Sequence, residues 1–321
     1  MDELAKRKHT VTIIIINYNS SHYTLSCVES ITRHVASTLY YNVIIVDNNS
    51  EENDFNTLSA RCEQWPHVTL VRSVLNLGFS GGNMLGVQHA NAEYLLFLNN
   101  DTIFLNDNVS LFLEFMQAHS NVGICTGQMY NGEGLSVSSF QDFPAVAQRI
   151  LGAKVLRLLF PNKYPDNRIL YDKPQKVDVV SGASMFTDFS KFAKVGGLDT
   201  NYFLFCEEED IAKKLSKAGY SAYLVPDAKY VHYVGKSTTS NLDIEKEFFI
   251  SYFYYLRKHI TKLGYTIIVL YCFIKIFMRF FRGIRYLKLA FFILSFPGLE
   301  HSVRHKQQIR NRYYSPTASD L

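Results

Sequence analysis

The sequence predicts an α/β fold in which a mostly parallel sheet carries helices on both faces. Four short apolar segments have the pattern of buried strands, and each ends in small polar residues. These segments are Val11 to Ile16, Val43 to Val46, Leu96 to Leu98, and Val177 to Val180. The chain between the first strands has apolar residues at helical spacing, so strands and helices alternate. Because open α/β sheets bind ligands at the carboxyl ends of their strands, the polar residues predict one shared cleft.

The elements follow one another from the N-terminus in this alternating order. Helical periodicity marks the segments from Leu25 to Ile31 and from Phe55 to Cys62. A further strand, Val68 to Val71, precedes a glycine-rich segment and a helix that is expected to extend to Ala92. A later helix and strand are predicted at Glu207 to Gly219 and at Ala222 to Val225.

Composition limits the class of protein. With 321 residues, 47% of them hydrophobic, the chain is long enough to bury a large core. The formal net charge of +4 is small, and the basic residues of the first 240 positions do not concentrate on one predicted helix, so nucleic acid is not an expected partner. The five cysteines have no CxxC spacing, which favours a reduced, cytoplasmic setting and argues against zinc ligation.

The region from 245 to 300 has a different composition, in which aromatic and aliphatic residues are interrupted by regularly placed Lys and Arg. Its longest clean apolar stretch, Tyr265 to Ile274, is shorter than the ~20 residues that a spanning helix needs. We therefore expect an amphipathic helical appendage on the membrane surface. A helical subdomain packed on the core or on a second copy, and a re-entrant hairpin with arms at 265–274 and 289–296, are alternatives. Residues 301–321 are expected to form a loose polar tail.

Two segments of the predicted cleft suit a diphosphate and its metal. The glycine-rich segment 76–83 opens a helix, where free N–H groups bind anions. Its spacing matches neither the dinucleotide nor the P-loop motif, and a simple capping turn is an equal alternative. Asn99 and Asp101, two residues apart at a strand end, offer oxygen atoms to Mg²⁺ or Mn²⁺. An ordinary Asx turn is the alternative there.

Two later segments carry candidate groups for proton transfer and phosphate binding. Glu207 to Asp210 is a run of four carboxylates at a helix start, more than the helix dipole requires. Because close like charges raise one another's pKa, Glu208 or Asp210 is a candidate general base. His232 can complete a metal site, although isolated histidines are more often structural, and Lys236 can meet a departing diphosphate.

Taken together and in this order, these motifs resemble those of the family 2 glycosyltransferases, most closely the rhamnosyltransferase-like branch that builds bacterial surface polysaccharides. The resemblance covers about residues 10 to 240. It implies a GT-A fold over residues 1–244, a nucleotide-diphosphate-sugar donor, a divalent metal and inversion at the anomeric carbon. The branch favours rhamnose, carried by dTDP, as the donor sugar.

The resemblance also implies roles for individual residues. Asp101 and His232 match the metal-binding positions, and Asn99 replaces the first Asp of a DxD-type pair. Glu208 occupies the position of the catalytic base in a Glu-Asp-x-Asp motif, with Asp210 as a competitor because Glu replaces Asp. The positions expected to contact the nucleotide or its diphosphate are Asn17, Tyr18, Asn19, Asp47, Asn76, Gly78, Asn83, Asn99, Asn100 and Lys236.

Residues 131–176 match no motif of the family and are expected to form a variable insertion that covers the acceptor, here called the acceptor-side insertion. A lipid-linked saccharide acceptor would explain the basic, aromatic region from 245 to 300. The expected location is then the cytoplasmic face of the plasma membrane.

Two other functions compete with this interpretation. A sugar nucleotidyltransferase would need a glycine-rich loop with a basic residue soon after the first strand, and Asn17 to Ser21 contains neither. A non-catalytic nucleotide-sugar-binding subunit of a polysaccharide assembly complex would not need Asp101, Glu208, Asp210 and His232 together.

Overall fold

The computed structural model describes residues 9–146, 151–161, 163–233 and 241–307, which form a layered α/β structure followed by packed helices. The strands are β1 (His9–Asn17), β2 (Tyr41–Asp47), β3 (Val68–Arg72), β4 (Ala92–Asn99), β5 (Thr102–Phe104), β6 (Val122–Tyr130), β7 (Phe140–Gln141), β8 (Gln175–Val177), β9 (Val179–Val180), β10 (Ser184–Asp188) and β11 (Ser221–His232). The helices are α1 (Ser21–His34), α2 (Glu52–Cys62), α3 (Gly78–His89), α4 (Asn108–Ala118), α5 (Ala153–Leu159), α6 (Phe189–Lys194), α7 (Glu207–Lys217), α8 (Leu242–His259), α9 (Lys262–Phe277) and α10 (Ile284–Leu294).

The main sheet has the strand order β3-β2-β1-β4-β10-β6-β11-β5, and β8 pairs with β11. The neighbours β3, β2, β1 and β4 are all parallel, whereas β10 runs antiparallel between β4 and β6. The register places Asn17 opposite Asp47 and Ile16 opposite Asn99. The predicted α/β fold is therefore confirmed, and the polar residues that follow β1, β2 and β4 meet at one edge of the sheet.

Alternating side chains of the buried strands supply a core on each face of the sheet. Ile13 and Ile15 point into one core with Val28 of α1, and Ile14 points into the other with Phe97. All five side chains are fully buried or nearly so. Fully burying an aliphatic side chain of this size contributes roughly 1.5–3 kcal/mol, so these strands form a rigid platform for the residues at their ends.

Two predicted elements differ from the structure. The segment Val177 to Val180 is not one strand of the parallel sheet, because β8 runs antiparallel to β11 and β9 pairs with β7 in a separate two-stranded sheet. Asp178 lies between the two halves, and its carboxylate accepts a hydrogen bond from the Phe143 N–H at 3.2 Å. The helix expected to reach Ala92 ends at His89, and Ala92 is the first residue of β4.

The C-terminal helices pack on the α/β core through a third apolar cluster. Tyr202 and Cys206 of the core meet Phe253 of α8, Ile268 of α9 and Ile293 of α10. None of the helices in the described ranges is both long and apolar enough to cross a membrane. The predicted helical region is therefore present, and α8 packs on the core as the subdomain alternative requires.

The expectation of a loose chain from residue 301 onward is wrong for residues 301–307. Glu247 of α8 is buried, and its carboxylate accepts hydrogen bonds from the Ser302 hydroxyl at 2.8 Å and the Val303 N–H at 2.9 Å. Gln307 exchanges two hydrogen bonds with the backbone of Asn76, at 2.7 and 2.9 Å. This segment therefore closes back onto the glycine-rich loop.

Candidate active site

A cavity of about 340 Å³ opens at the sheet edge where β1, β2 and β4 end. A volume of this size suits part of a nucleotide. Many of the residues predicted to contact the donor or its metal line this cavity, namely Tyr18, Asn76, Gly78, Asn83, Asn99, Asn100 and Asp101. The spatial convergence expected from the strand ends is present for these residues.

The acidic residue of the β4 end and the histidine of β11 face each other across the sheet. The antiparallel pairing of β11 with β5 sets His232 opposite Thr102. His232 Nε2 then lies 3.0 Å from Asp101 Oδ1 and 3.3 Å from Asn99 Nδ2. The Tyr233 N–H also donates to the Asp101 carbonyl at 3.0 Å, which fixes the strand at this point.

The donor set at this point fits a hard or borderline divalent cation. It combines the Asp101 carboxylate, the Asn99 amide and the His232 imidazole, whose Nδ1 is buried and has no hydrogen-bond partner among the described residues. In the described ranges, no three or more His, Cys, Asp or Glu residues form a group that could hold a metal ion. Phosphate oxygens and water would therefore have to complete the coordination shell, as is usual for Mg²⁺.

Asn17 and Asp47 lie beneath the cavity and do not line it. Both are fully buried, and Asn17 Nδ2 donates to Asp47 Oδ2 at 3.0 Å and to Asp54 Oδ2 at 2.9 Å. Asp47 also accepts from the Ser50 N–H at 3.2 Å and pairs with Arg72 Nε at 3.6 Å. Their polar atoms thus organise the loops after β1 and β2, and the predicted contact of Asp47 with the nucleotide stays a prediction.

Asn19 and Asn100 also connect the loops of the cleft to each other. Asn19 has a left-handed backbone (φ 51°), and its amide oxygen accepts from the Glu51 N–H at 2.7 Å. Asn100 donates to the hydroxyls of Ser20 at 2.7 Å and Thr24 at 2.9 Å. Cooperative networks of this kind hold loop residues in a single arrangement.

The glycine-rich loop is shaped by a close backbone approach at its first glycine. Gly78 has φ +71°, and a Cβ atom there would lie 2.1 Å from the Phe203 carbonyl oxygen, so only glycine fits. The Asn76 side chain accepts from the Gly78 N–H at 2.9 Å. Asn83 is buried and donates to the Phe79 carbonyl at 3.1 Å, so it holds the first turn of α3.

The acidic helix α7 begins after two residues with left-handed backbone. Phe205 (φ 74°) and Cys206 (φ 67°) are both non-glycine residues, and such strain marks positions that the surrounding structure constrains tightly. A Cβ atom at Gly182 would lie 3.6 Å from the Glu208 carboxyl carbon. Because the Asn99 N–H donates to the adjacent Ala183 carbonyl at 2.9 Å, Glu208 stands next to the end of β4.

The three glutamates of α7 have environments that favour their protonated forms. Burial raises the pKa of Glu208, and burial together with the charge of Glu208 raises the pKa values of Glu207 and Glu209 well above their ordinary range. Glu209 also accepts a hydrogen bond from Gln141 Nε2 at 2.9 Å. A carboxylate with a raised pKa at the edge of the cleft is suited to general base catalysis.

Asp210 has a different environment although it is the next residue. Its fully buried carboxylate lies 2.7 Å from His259 Nε2 and 2.8 Å from Lys258 Nζ, and Lys214 Nζ is 3.6 Å away. Burial alone would raise the pKa of Asp210, but the hydrogen bonds from His259 and Lys258 lower it below its ordinary value. The structure thus directs Asp210 toward α8, and Glu208 is the better placed of the two candidate bases.

Several residues at the cleft were missed by the sequence analysis. Asn48 donates from its side chain to the Gly78 carbonyl at 2.9 Å, and it lines the cavity together with Phe203 and Asn241. Asn48 follows Asp47 at a strand end, so its position was a usable signal. Phe203 and Asn241 have no local signal, because only the tertiary fold brings them to the cavity. Lys236 lies outside the described residues.

Residues 12–195 match the model of glycosyl transferase family 2. This match covers more than half of the chain, so the chain belongs to this family of sugar-transferring enzymes.

Curated relatives of the chain include rhamnosyltransferases. It is 26% identical over 232 residues to the rhamnosyltransferase WbbL of Escherichia coli, covering 70% of this chain and 83% of the relative. It is 24% identical over 211 residues to an N-acetylglucosaminyl-diphospho-decaprenol L-rhamnosyltransferase of Mycobacterium tuberculosis, covering 61% of this chain and 67% of the relative.

Solved glycosyltransferases share the fold. The mannosyltransferase PcManGT of Pyrobaculum calidifontis, determined with GDP-Man and Mn²⁺, superposes with a TM-score of 0.57 at 16% identity over 80% of this chain and 66% of its own. GalNAc-T7, determined with UDP, GalNAc and Mn²⁺, gives a TM-score of 0.59 at 13% identity over 78% of this chain and 48% of its own. The predicted GT-A fold is confirmed by this likeness.

Proposed function

We propose that the chain is an inverting rhamnosyltransferase that moves rhamnose from dTDP-rhamnose to a lipid-linked saccharide during assembly of a bacterial surface polysaccharide. The observation that carries the proposal is the 3.0 Å contact between Asp101 and His232 beside the cavity at the end of β4, with Glu208 near the Gly182–Ala183 segment that hydrogen-bonds to Asn99. The names of the two rhamnosyltransferase relatives support the sugar, and the decaprenol-linked substrate in one of those names supports the class of acceptor.

The proposed reaction is a single displacement in which the chain's own groups have separate tasks. Glu208 takes the proton of the acceptor hydroxyl while that oxygen forms its bond to the anomeric carbon and the bond to the diphosphate breaks. Asp101 and His232 would hold Mg²⁺ or Mn²⁺, which supplies positive charge to the departing diphosphate. Asn76 and Gly78 shape the backbone against which the nucleotide lies. Stabilising the charge that develops on the leaving group is expected to be the larger contribution.

A panel of nucleotide sugars tests the donor. A ligand that binds only the folded chain raises its melting temperature, so dTDP-rhamnose with Mn²⁺ should give the largest shift among dTDP-, UDP- and GDP-sugars. Asp101→Ala should remove the dependence of this shift on Mn²⁺. If UDP- or GDP-hexoses stabilise the chain more than dTDP-rhamnose does, the proposed donor is wrong.

Product formation then separates the enzyme from a non-catalytic subunit. We expect release of dTDP from dTDP-rhamnose only when a prenyl-diphosphate-linked saccharide is present. Binding of the donor without release of nucleoside diphosphate with any such acceptor would favour a nucleotide-sugar-binding subunit instead.

We further propose that α9, α10 and the turn between them bind the membrane surface. Exposed apolar residues recur at intervals of three and four positions along the outer side of α9 and at the residue that follows it, namely Leu263, Ile267, Leu270, Ile274 and Met278. In the turn, Phe281 is 72% exposed, and Ile284 at the start of α10 is 67% exposed. No acidic residue occurs between 262 and 299, whereas six Lys or Arg residues do. Exposed apolar side chains among cations suit an anionic bilayer surface.

Vesicle sedimentation tests this surface. The full chain should bind vesicles of phosphatidylcholine with phosphatidylglycerol, and added salt should weaken the binding because it screens the cations. Phe281→Asp with Ile284→Asp should abolish it, while the control Leu105→Asp, at an exposed position following β5, should not. Unchanged binding by the double variant would refute the proposed surface.

A further inference from the structure

The acceptor-side insertion forms a second cavity, of about 520 Å³, away from the donor cleft. Its lining includes Lys154, Arg157, Tyr164, Asp166, Arg168 and Tyr171. Cavities of 300–1,000 Å³ commonly hold small ligands, and this one combines cations with aromatic hydroxyl groups. None of the residues that line this cavity has a role in the proposed transfer reaction.

The charge around this cavity is positive. Residues 151–176 include six Lys or Arg but only two Asp. One carboxylate, Asp166, lies 3.1 Å from Arg157 Nη1 and 2.8 Å from Arg168 Nη2, so a single negative charge is shared between two guanidinium groups. Lys154 lines the same cavity and is exposed. The wall therefore keeps an excess of cations that an anionic ligand would balance.

Arg157 also has an unused donor. Its Nη1 pairs with Asp166 and its Nη2 donates to Asn167 Oδ1 at 2.7 Å, but the buried Nε has no hydrogen-bond partner within the described part of the chain. A buried N–H of a charged group that lacks an acceptor is costly. The planar guanidinium matches the geometry of phosphate oxygens, which could supply that acceptor.

A short path of contacts joins this cavity to the acidic helix. Asn167, held by Arg157, donates to the Phe140 carbonyl of β7 at 3.2 Å. The next residue, Gln141, donates to Glu209 at 2.9 Å. Strand β7 therefore contacts Asn167 on the cavity side through Phe140, and Glu209 of the acidic helix through Gln141.

The chain next to Arg157 is apolar and open to solvent. Leu158 is 82% exposed, and Leu159 and Phe160 are more than half exposed. Helix α5 thus places a cationic side chain beside an uncovered apolar surface, which is the combination that a phosphate group attached to a hydrocarbon chain requires. A free phosphate would have no use for the apolar part.

We infer that this cavity binds the phosphate or diphosphate group of the lipid-linked acceptor and so brings the attached saccharide across β7 to Glu208. This inference rests on the proposed function, because it names the site at which the acceptor of that reaction is held. It assigns to Lys154, Arg157 and Arg168 a role in acceptor binding that is separate from the donor cleft.

Binding of inorganic diphosphate to the full chain tests the site. The titration is done by calorimetry in EDTA, so that a divalent cation does not direct diphosphate to Asp101 and His232. Lys154→Gln with Arg168→Gln should weaken binding roughly tenfold, as expected for loss of charged hydrogen-bond donors. The matched control, Arg33→Gln with Lys229→Gln, removes one arginine and one lysine charge from exposed positions outside the acceptor-side insertion and should bind as the native chain does.

The native chain failing to bind diphosphate, or both double variants weakening equally, would overturn the inference. Vesicles of phosphatidylcholine with phosphatidylglycerol distinguish the second source of phosphate, the bilayer headgroups. If the cavity variant loses vesicle binding while its diphosphate binding stays native, the cations contact headgroups and the inference is wrong. The thermal shift with dTDP-rhamnose should be the same in both variants, so a failure of the donor proposal would be seen separately.

Discussion

Helix α7 places two kinds of carboxylate side by side, and they serve different ends. Within the described ranges, Glu207, Glu208 and Glu209 form no salt bridge with a Lys, Arg or His side chain. Asp210 faces α8, where His259 and Lys258 surround it. Burial favours the protonated form of the first group, whereas the ion pairs of Asp210 join α7 to the C-terminal helix α8.

The two environments shift the pKa in opposite directions, and the linkage to stability therefore has opposite signs. A raised pKa in the folded chain means that the contribution to stability is present at low pH and is lost as the pH rises through the folded-state pKa, as for Glu207 and Glu209. The lowered pKa of Asp210 gives a contribution that is present at neutral pH and is lost as the pH falls through its folded-state pKa. Adjacent residues of one helix therefore make contributions to the free energy of unfolding that change with pH in opposite directions.

The largest expected effect comes from the proposed base. Glu208→Gln should lower kcat by about 10²–10⁴-fold, because proton transfer by a placed side chain contributes that much. Its unfolding free energy should not fall, since Glu208 forms no salt bridge with any described residue and burial already disfavours its charged form. Glu208→Asp, which keeps a carboxylate, should recover part of the activity. Native turnover by Glu208→Gln would refute the assignment.

Replacing Asp210, which faces α8, should lower the free energy of unfolding. Asp210→Ala leaves His259 and Lys258 without their buried partner, which should cost about 3 kcal/mol in the free energy of unfolding. Urea denaturation measures this loss at neutral pH. If Asp210→Ala folds with native stability but has no turnover, Asp210 is the base. The proposed division between a catalytic Glu208 and a structural Asp210 would then be wrong.

The sequence was a good guide where local patterns determine the structure. Apolar runs followed by Asn or Asp placed Asp101 and the strands β1, β2 and β4 correctly, because burial and strand ends are encoded within a few residues. The role of Asp210 could not be predicted in this way. Its partners lie 48 and 49 positions further along, on a helix whose composition indicated an appendage and not a part of the core.

Contacts between residues far apart in the sequence also explain why the position of β10 and the packing of residues 301–307 were not predicted. Strand β10 is only five residues long and follows a polar loop, so no periodicity indicated that it inserts antiparallel between β4 and β6. The return of Gln307 to Asn76 spans 231 positions and leaves no local pattern. Such contacts follow from the global packing alone, so the local composition of this segment predicts only a loose tail.

A smaller effect, on the free energy of unfolding, is expected from replacing Glu207, whose buried carboxyl destabilises the folded chain when it is charged. Glu207→Gln should stabilise the chain by about 1 kcal/mol at neutral pH, because it replaces a buried carboxyl, whose charged form is disfavoured, by a neutral group. The gain should shrink as the pH is lowered toward the unfolded-state pKa of Glu207, because the carboxyl is then protonated in both the folded and the unfolded chain. Thermal unfolding of both chains across a pH series measures this difference. A gain that is the same at all pH values would show that charge is not its cause.

The smallest expected effect concerns the pH dependence of the base, and it depends on the pairing of Glu208 with Glu209. Burial raises the pKa of Glu208, while a hydrogen bond from the protonated Glu209 carboxyl lowers it in part. Glu209→Leu removes that donor, and the acidic limb of the kcat/KM profile should move to higher pH. Glu209→Gln keeps an N–H donor and should restore the native limb, which a purely structural role would not explain. If both variants keep the native limb while losing activity equally, Glu209 does not act through Glu208.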